Sequence, residues 1–468
     1  MQKQQIFRLA LPLAGVATLA LGASAQDFQP RMGEPLAGLS GAQLQRFVDG
    51  QAEFDANLTL AEGLGPVFND ISCGTCHSFP ATGGAGTKRV IRAGVAANGG
   101  NPFDPLDNLG GSLFQIEAID PSIAEVVPAQ ADVVAQRVTP MSIGIGLLEA
   151  IDDADILANA AATPVDPSIS GWVRMTQPFE GGPMRASKMG WKGGVATALS
   201  FSADASLNEM GLTNRFITTE NAPQGDASLL AIWDSVADPE DFPDPVTGLE
   251  KIDRLADFQV LSAGPPQTPK SGMTGEQVFE DIGCAGCHRS DPYITTAHVE
   301  GSVLSGVEVK PYSDFLVHDM GALGDDIVDG PSTEDEMMTR TLWGVGLRQA
   351  LLHDGRHETS VLGFAGAIDA TIQDHDGEAA FSRTNYNNLT QPEKDQLAAF
   401  LQSMGRAEGD WDLNNRIDQF DWFFLLPFLT GPDANTVTPD DDGALIDFDQ
   451  DGDIDMADMA IFQRAYTF

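Results

Sequence analysis

The chain is strongly acidic, since its 468 residues include 68 Asp and Glu against 26 Lys and Arg, for a formal net charge of −42. Such a surface repels nucleic acid and anionic lipid, which argues against binding either. It suits basic partners, divalent cations or adaptation to salty water, and the charge alone does not choose among them. The length and the 42% apolar content predict two or three domains, each with its own core.

Residues 1–25 have the three parts of a secretory signal. Lys3 and Arg8 form a basic start, an apolar run follows, and residues 23–25 (Ala-Ser-Ala) form a small-residue cleavage site. The apolar run is short for a bilayer span, and no later stretch is apolar enough for one. We therefore predict an exported protein, periplasmic or extracellular at the cell surface, with a mature chain that begins at Gln26 and has no membrane span.

Residues 67–77 and 278–288 both contain the pattern F-x-D-I-x-C-x-x-C-H. The Cys-x-x-Cys-His run is the attachment signature of c-type haem, in which two thiols bind the porphyrin and the histidine binds the iron. The two runs use all four cysteines of the chain. They predict two covalently bound haem c groups, and their residues are Cys73, Cys76 and His77 in the first run and Cys284, Cys287 and His288 in the second. The alternative, a zinc or redox Cys-x-x-Cys site, would need further ligands at matching spacing.

A second pattern recurs at a similar offset. Residues 144–147 read Gly-Ile-Gly-Leu and residues 344–347 read Gly-Val-Gly-Leu. The repeat therefore extends beyond the haem motifs and indicates a duplicated domain. We also predict helices around 40–53, in the middle of 185–216, and from 391 to 404, whereas 81–135 is expected to form loops with short strands.

Two stretches of the tail have oxygen-bearing side chains at positions 1, 3, 5, 9 and 12 of a calcium loop. These residues are Asp410, Asp412, Asn414, Asp418 and Asp421 in the first stretch, and Asp447, Asp449, Asp451, Asp455 and Asp458 in the second. Position 6 must bend sharply, which suits Gly452 and, less well, Asn415. Ile417 and Ile454 at position 8 are expected to pair the loops. The pattern predicts bound calcium, and the alternative is a solvated acidic tail. Aspartate at position 12 makes the loops resemble those of dockerins, which implies a calcium-dependent tethering partner.

Together these patterns predict a mainly α fold. It would comprise two cytochrome c-like haem domains from an internal duplication, plus a small α-helical dockerin-like or EF-hand-like C-terminal module. The predicted boundaries are a signal peptide at 1–25, an N-terminal haem domain at 26–217, a linker or crossover at 218–270, a C-terminal haem domain at 271–405 and the calcium-binding module at 406–468.

The two-haem part resembles the bacterial di-haem oxidoreductase family of peroxidase-like or thiol oxidoreductase-like proteins. That family is related to di-haem cytochrome c peroxidases and to the enzyme that matures a tryptophan-derived quinone. The matching runs are 65–77, 144–151, 190–192, 209–211, 312–321 and 343–356. The resemblance implies an oxidoreductase that reduces hydrogen peroxide or a similar acceptor at the N-terminal haem. Electrons would be relayed through the C-terminal haem from a small redox protein.

The resemblance also implies a sixth ligand for the C-terminal haem iron. Relatives have a histidine before Gly-Gly-Glu-Ala, and here His375 precedes Asp-Gly-Glu-Ala, so His375 takes that role. Met320 and His318 are rivals for it. No histidine lies between the two motifs apart from their own. The N-terminal iron would therefore be five-coordinate and open to peroxide, or be bound by a residue that reaches across, such as His318 or His353.

Peroxide reduction needs a group that moves a proton between the two oxygens. In the peroxidase relatives a glutamate in a Pro-x-Glu-Met context does this, and Glu209 before Met210 is the candidate by resemblance. Glu149 is the second candidate, and for either the alternative is an ordinary solvated glutamate.

Electron transfer between haems is helped by an aromatic ring between them. Trp191 and Trp343 are the candidates, with plain core packing as the alternative for each. Arg348 and Arg356 are candidates for bidentate pairing with haem propionates. A different class of function also fits the motifs: an electron-transfer cytochrome with both irons six-coordinate and no peroxidase activity.

Overall fold

The computed structural model describes residues 28–98, 101–269, 272–432 and 434–465. The predicted signal peptide, residues 1–25, lies outside them. The described helices are α1 Gly41–Asp55, α2 Cys73–Cys76, α3 Ile145–Glu149, α4 Asp153–Ala161, α5 Ala198–Met210, α6 Leu230–Trp233, α7 Lys251–Leu261, α8 Thr274–Asp281, α9 Thr359–Leu362, α10 Phe364–Asp374, α11 Ala380–Asn387, α12 Gln391–Ser403, α13 Gln419–Leu425 and α14 Met456–Ala465. Among them, none combines the length and the apolar character that a bilayer crossing would require.

Short strands lie between these helices. They are β1 Val67–Phe68, β2 Arg89–Gly94, β3 Ser112–Phe114, β4 Glu117–Ala118, β5 Val133–Val138, β6 Met175–Thr176, β7 Arg185–Ala186, β8 Tyr293–Ile294, β9 Glu308–Val309, β10 Val317–Asp319, β11 Glu336–Met338, β12 Ala350–Leu351 and β13 His357–Glu358. In the described part they form one three-stranded antiparallel sheet, β3-β2-β5, and five two-stranded pairs.

The expectation of a mainly α chain is therefore corrected to a mixed one. Burial alternates along the first part of β5, where Val133 and Ala135 are buried and Val134 and Gln136 are exposed, as a half-buried strand requires. The remaining pairs are two or three residues long and close the long Gly-rich and Pro-rich connections, in which a helix cannot propagate.

Helix α7 lies inside the stretch predicted as a linker or crossover. It packs against α1 and α5, and Phe258 on it is fully buried. The carboxylate of Glu240 accepts hydrogen bonds from the backbone N–H groups of Lys251 and Ile252, both at 2.9 Å. These bonds satisfy the first free donors of the helix. The second half of the predicted linker is thus part of the N-terminal core.

The C-terminal haem motif follows α8, which packs on α12. Phe279 of α8 contacts Phe400 of α12 and Tyr312 edge-on, with ring centroids 5.7 and 6.2 Å apart. These aromatic contacts hold the start of the motif against the rest of the C-terminal core.

The tail forms a small body with its own core and rests on the larger one. Its buried residues are Ile417, Leu425, Ile446, Phe448, Ile454 and Phe462. The amide of Asn415 donates to the backbone oxygen of Met32 at 2.9 Å, and the backbone N–H of Thr274 donates to Asp440 at 2.8 Å. The tail therefore contacts both the start of the described chain and the start of α8.

Candidate functional site

The first cysteine motif forms the single turn α2. The hydroxyl of Ser72 accepts a hydrogen bond from the backbone N–H of Thr75 at 3.1 Å and caps the turn. The N–H of His77 donates to the backbone oxygen of Cys73 at 2.9 Å. One helical turn thus separates Cys73 from His77, which puts both on the same face.

The second motif has the same closing contact, although residues 284–286 form a tighter 3-10 turn. The N–H of His288 donates to the backbone oxygen of Cys284 at 2.9 Å. Gly283 precedes the turn in the left-handed region, with φ 88°, where a side chain would be strained.

Each motif lines a cavity of about 1370 Å³, measured with its open mouth. We call these the N-terminal cavity, which contains Cys73, Cys76 and His77, and the C-terminal cavity, which contains Cys284, Cys287 and His288. Among the residues that the structure describes, Trp191 alone lines both cavities.

The motif histidines are oriented as iron ligands would be. Nδ1 of His77 lies 2.9 Å from the hydroxyl of Ser142 and 3.3 Å from the backbone oxygen of Gly84, and Nδ1 of His288 lies 3.1 Å from the backbone oxygen of Tyr312. Donation from Nδ1 leaves Nε2 with its lone pair. Burial lowers the pKa of each histidine to about 4, so both are neutral near pH 7, as binding to iron requires.

Buried arginines supply a second test of whether haem fits. Arg340 and Arg348 line the C-terminal cavity, and burial lowers their pKa values to about 9 and about 10. Nε of each has no hydrogen-bond partner within the described chain, and neither does Nε of Arg92 in the N-terminal cavity. Buried cations without anions are costly, and carboxylates of a bound group would pair with Arg340 and Arg348, whereas the charge of Arg92 already faces Asp329 and Asp204. The cysteines and neutral motif histidines of both cavities therefore fit a haem, and the arginines of the C-terminal cavity also fit its propionates.

His375 follows the end of α10 and lines the C-terminal cavity. Its Nδ1 lies 2.8 Å from the backbone oxygen of Thr371, which leaves Nε2 free as in the motif histidines. Burial lowers its pKa, and His288 lines the same cavity. The structure thus brings His375 and His288 into one cavity.

The other candidate ligands also lie at the C-terminal cavity. Met320, His318 and His353 line it, and none of the three lines the N-terminal cavity. Both ring nitrogens of His318 are engaged, at 3.0 Å from Asp314 and 2.7 Å from Glu378. The alternative in which His318 or His353 reaches across to the N-terminal iron stays a prediction, and the position of both residues on the wall of the C-terminal cavity does not favour it.

The N-terminal cavity contains two carboxyl groups of α5. Glu209 accepts a hydrogen bond from the amide of Asn69 at 2.8 Å, and Asp204 accepts one from Asn208 at 3.0 Å. Both line the cavity, and burial raises the pKa of each. Glu209 is therefore not a solvated helix glutamate. Sequence reasoning did not identify Asp204 as a cavity residue. The only signal for it was its position five residues before Glu209.

The two candidate tryptophans occupy different places. Trp191 lies on the wall that the cavities share, donates from Nε1 to the backbone oxygen of Val138 at 3.2 Å, and has the guanidinium carbon of Arg340 at 5.3 Å from its ring centroid. Trp343 is buried in the core, donates from Nε1 to Pro265, and lines neither cavity.

Two further predicted residues lie outside the cavities. The carboxylate of Glu149 accepts from the backbone N–H of Ala198 at 2.9 Å and so caps α5. Arg356 pairs with Asp354 at 2.6 Å and Asp374 at 3.2 Å, and its side chain is 40% exposed. The predicted roles of Glu149 and Arg356 therefore stay predictions without support from these contacts. Arg340, which sequence reasoning missed, lines the C-terminal cavity.

The tail brings its aspartates together as predicted loops would. Carboxylate oxygens of Asp410, Asp412 and Asp421 lie within 4.8 Å of one another, as do those of Asp447, Asp449 and Asp458. The same internal hydrogen bond of 2.7 Å occurs in each loop: the backbone N–H of the residue at position 2 donates to the aspartate at position 12 of that loop. Asn415 and Gly452 at position 6 have φ of 63° and 88°. Burial raises the pKa of Asp410 to about 7, and the charge of Asp421 adds to this rise.

The remaining predicted ligands of the loops make local contacts. The side-chain oxygens of Asn414 and Asp451 accept from the backbone two residues ahead, at 2.8 and 3.1 Å, and those of Asp418 and Asp455 do the same at 2.8 and 2.6 Å. The contacts at Asp418 and Asp455 start the helices α13 and α14.

Residues 122–404 match the family described as "Di-haem oxidoreductase, putative peroxidase". The chain belongs to this family, since the match spans more than half of it, and it is therefore an oxidoreductase of a di-haem type. The matched residues include the second motif, Trp191, Glu209 and His375, and the first motif precedes them. No curated protein matches the chain. Among solved structures, "Kuenenia stuttgartiensis Hydrazine Synthase Pressurized with 20 bar Xenon" is similar over 86% of this chain and 100% of that chain, with 14% identity and a TM-score of 0.33. That score is too low to infer a shared fold.

Proposed function

We propose that the chain is an exported c-type di-haem enzyme that reduces hydrogen peroxide, or a similar acceptor, at the N-terminal cavity. Haem would be attached at Cys73 and Cys76 and at Cys284 and Cys287. When bound, the haem irons supply electron storage and the centre at which peroxide is reduced. A small redox protein would supply the electrons at the C-terminal cavity. Family membership supports the di-haem redox class. The different residues that line the two cavities support electron flow from the C-terminal to the N-terminal cavity.

The observation on which the proposal chiefly rests is the lining of the N-terminal cavity. It combines His77, the sole histidine among its described lining residues, with the buried carboxyls of Glu209 and Asp204. Reduction of one peroxide to two waters consumes two electrons and two protons. Glu209 would take the proton from one peroxide oxygen and return it to the other, so that water can leave.

The C-terminal cavity favours electron storage. It presents His288 and His375, both with Nδ1 bound to a backbone oxygen and Nε2 free, among apolar residues such as Leu397, Leu401 and Ile368. Two such imidazoles would hold an iron from both sides and leave no position for peroxide.

Replacing His77 by glycine is expected to abolish peroxide turnover, because the N-terminal cavity loses its only histidine among the described lining residues. Turnover is followed as peroxide-dependent oxidation of a reduced dye or small cytochrome. His298→Gly serves as the matched control, since His298 lines neither cavity. Unchanged turnover in the His77 variant would remove the assigned role of the N-terminal cavity.

Replacing Trp191 by phenylalanine is expected to slow electron transfer between the two cavities, while each cavity keeps its haem. It also removes the hydrogen bond to Val138, at a cost of about 1 kcal/mol of stability. Stopped-flow absorbance of the half-reduced protein after peroxide addition measures the transfer rate. Trp343→Phe is the control, and it should lower stability without slowing transfer. Equal transfer rates in the two variants would count against a role for the shared wall.

A carrier function is the second candidate, and it has one observation in its favour. Met210, next to Glu209, lines the N-terminal cavity, and a thioether can serve as a sixth ligand to haem iron. Absorption and resonance spectra of the oxidised and half-reduced protein separate the two functions. A high-spin ferric signal favours the enzyme, and two low-spin haems in every redox state favour the carrier.

We further propose that the haem-binding part arose by duplication and that the tail binds calcium. The duplication is supported by the paired motifs and by Gly144 and Gly344, which precede short helical turns with φ of 69° and 78°. The proposed domains keep their predicted boundaries with one change: α7, which packs against α1 and α5, is assigned to the N-terminal haem domain and not to the linker. The calcium proposal is supported by the matching aspartate groups of the loops, and a module of this kind would tether the enzyme to a partner.

A further inference from the structure

We propose that His318 is a positioning residue of the C-terminal cavity, a buried imidazolium that braces the Cys287 side of the cavity and raises the reduction potential of the haem attached there. The inference rests on the proposed attachment of haem at Cys284 and Cys287. It does not depend on which acceptor the enzyme reduces.

The contacts of His318 define its charge. Nε2 lies 3.0 Å from a carboxylate oxygen of Asp314, and Nδ1 lies 2.7 Å from one of Glu378. The residue is 2% exposed. An ionised carboxylate only accepts hydrogen bonds, so each ring nitrogen must donate, and an imidazole that donates from both nitrogens is a cation.

The surroundings hold this ring in one place. Its strand β10 pairs with β11, and Val317 also pairs with Trp172 through two backbone hydrogen bonds of 2.9 and 3.0 Å. The backbone of Gly171 lies directly against the ring, so that a side chain at that position would overlap it. Glu378 is fixed in turn by the hydroxyl and N–H of Ser170, at 2.9 and 2.7 Å.

The ring lies beside the attachment point. Single atoms of Cys287, Asp314 and His318 lie within 4.8 Å of one another. Such a trio resembles a metal site, but Cys287 belongs to the haem motif and both nitrogens of His318 already donate. The groups that face His318 are therefore Asp314, Glu378 and Cys287, and the charge of His318 lowers the pKa of His288.

The cation persists near neutral pH. One carboxylate holds each ring nitrogen, Asp314 at Nε2 and Glu378 at Nδ1, and loss of either ring proton would leave one of these hydrogen bonds unmade. A fixed positive charge near a redox centre disfavours the more positive oxidised state, and a fixed negative charge favours it. Fixed charges and hydrogen bonds around a haem are among the means by which proteins set its potential.

The test compares His318→Gln with Glu378→Gln, because the two substitutions change the local charge in opposite directions. The midpoint potential of the C-terminal haem should fall in the His318 variant and rise in the Glu378 variant, as measured by spectroelectrochemical titration at neutral pH. The potential of the N-terminal haem should stay constant in both. His298→Gln, which changes a histidine outside both cavities, should move neither potential.

Potential shifts of the same sign in both variants, or no shift in either, would overturn the inference. A merely structural role of His318 does not predict potential shifts of opposite sign in the two variants. The mass of each variant is checked first for two haem additions. If His318→Gln fails to retain its second haem, the Glu378 variant decides alone, and an unchanged potential there would refute the role. Absence of peroxide turnover would overturn the proposed function. It would not affect this inference, because the opposite shifts in midpoint potential do not depend on turnover.

Discussion

Replacing Glu209 by glutamine is expected to lower peroxide turnover by about 10²–10⁴-fold, the usual contribution of a positioned general acid–base group. The substitution keeps the shape of the side chain and an oxygen that accepts the hydrogen bond from Asn69. What it removes is the exchangeable proton. Haem content and thermal stability should therefore stay near those of the unaltered protein, and steady-state turnover with a reduced dye measures the loss.

Glu149→Gln is the matched control for this experiment. Glu149 caps α5, the same helix that bears Glu209, but it lines neither cavity. Turnover should stay within a few-fold of normal. Equal losses in the two variants would show that the effect comes from the helix and not from the proton.

The same carboxyl predicts a pH dependence. Burial raises the pKa of Glu209 above its usual 4.5, and the group must be ionised to take the first proton from peroxide. Turnover should therefore fall as the pH is lowered through this raised pKa, and it should do so at a higher pH than an exposed glutamate would give. The Gln variant should lack this acid limb, while a limb of unchanged position would indicate another group.

The sequence predicts the two cysteine motifs but not what surrounds them. Although both share F-x-D-I-x-C-x-x-C-H, strand β1 precedes the first and helix α8 precedes the second. The reason lies in a contact distant in sequence. Gly65 packs so closely against the backbone of Gly211 that even a Cβ would overlap it, which ties the chain before the first motif to the end of α5.

The composition around α7 explains why the linker prediction does not include this helix. Pro, Asp and Gly residues dominate the region before it and are typical of a linker. Yet Ile252, Leu255 and Phe258 recur every three residues, which is the spacing of one buried helical face. All three are buried in the structure, so the helical spacing of these three residues indicates α7 even though the composition around it is typical of a linker.

The sequence does not reveal whether Arg340 or Arg356 reaches the C-terminal cavity, because closeness to the motif in the chain does not say which way a side chain points. Arg356 lies close to Arg348 in the chain but faces Asp354 and Asp374 on the surface. Arg340 precedes Arg348 by a similar distance and reaches the C-terminal cavity. Tertiary packing decides which cation is left without an anion.

Calcium removal is expected to reach beyond the tail, because the first loop is joined to the body. Asn415 at position 6 of that loop donates to Met32, and Leu413 packs against the core that contains Met32 and Phe54. Phe54 in turn contacts the ring of His77 edge-on, with centroids 5.8 Å apart. Order in the loop therefore supports the core that backs the N-terminal cavity.

Chelating calcium from the full haem-loaded chain should lower its free energy of unfolding by about 2.7 kcal/mol for each site that was saturated at roughly a hundred times its dissociation constant. Thermal unfolding, followed by circular dichroism and by haem absorbance, measures the change. Asp421→Asn, which alters position 12 of the first loop, should remove much of the calcium response. Asp291→Asn, at a side chain that is 80% exposed, should keep all of it. A melting temperature that changes with neither calcium nor chelator would refute calcium binding. A calcium response seen by circular dichroism but not by haem absorbance would show that the loops do not stabilise the N-terminal cavity.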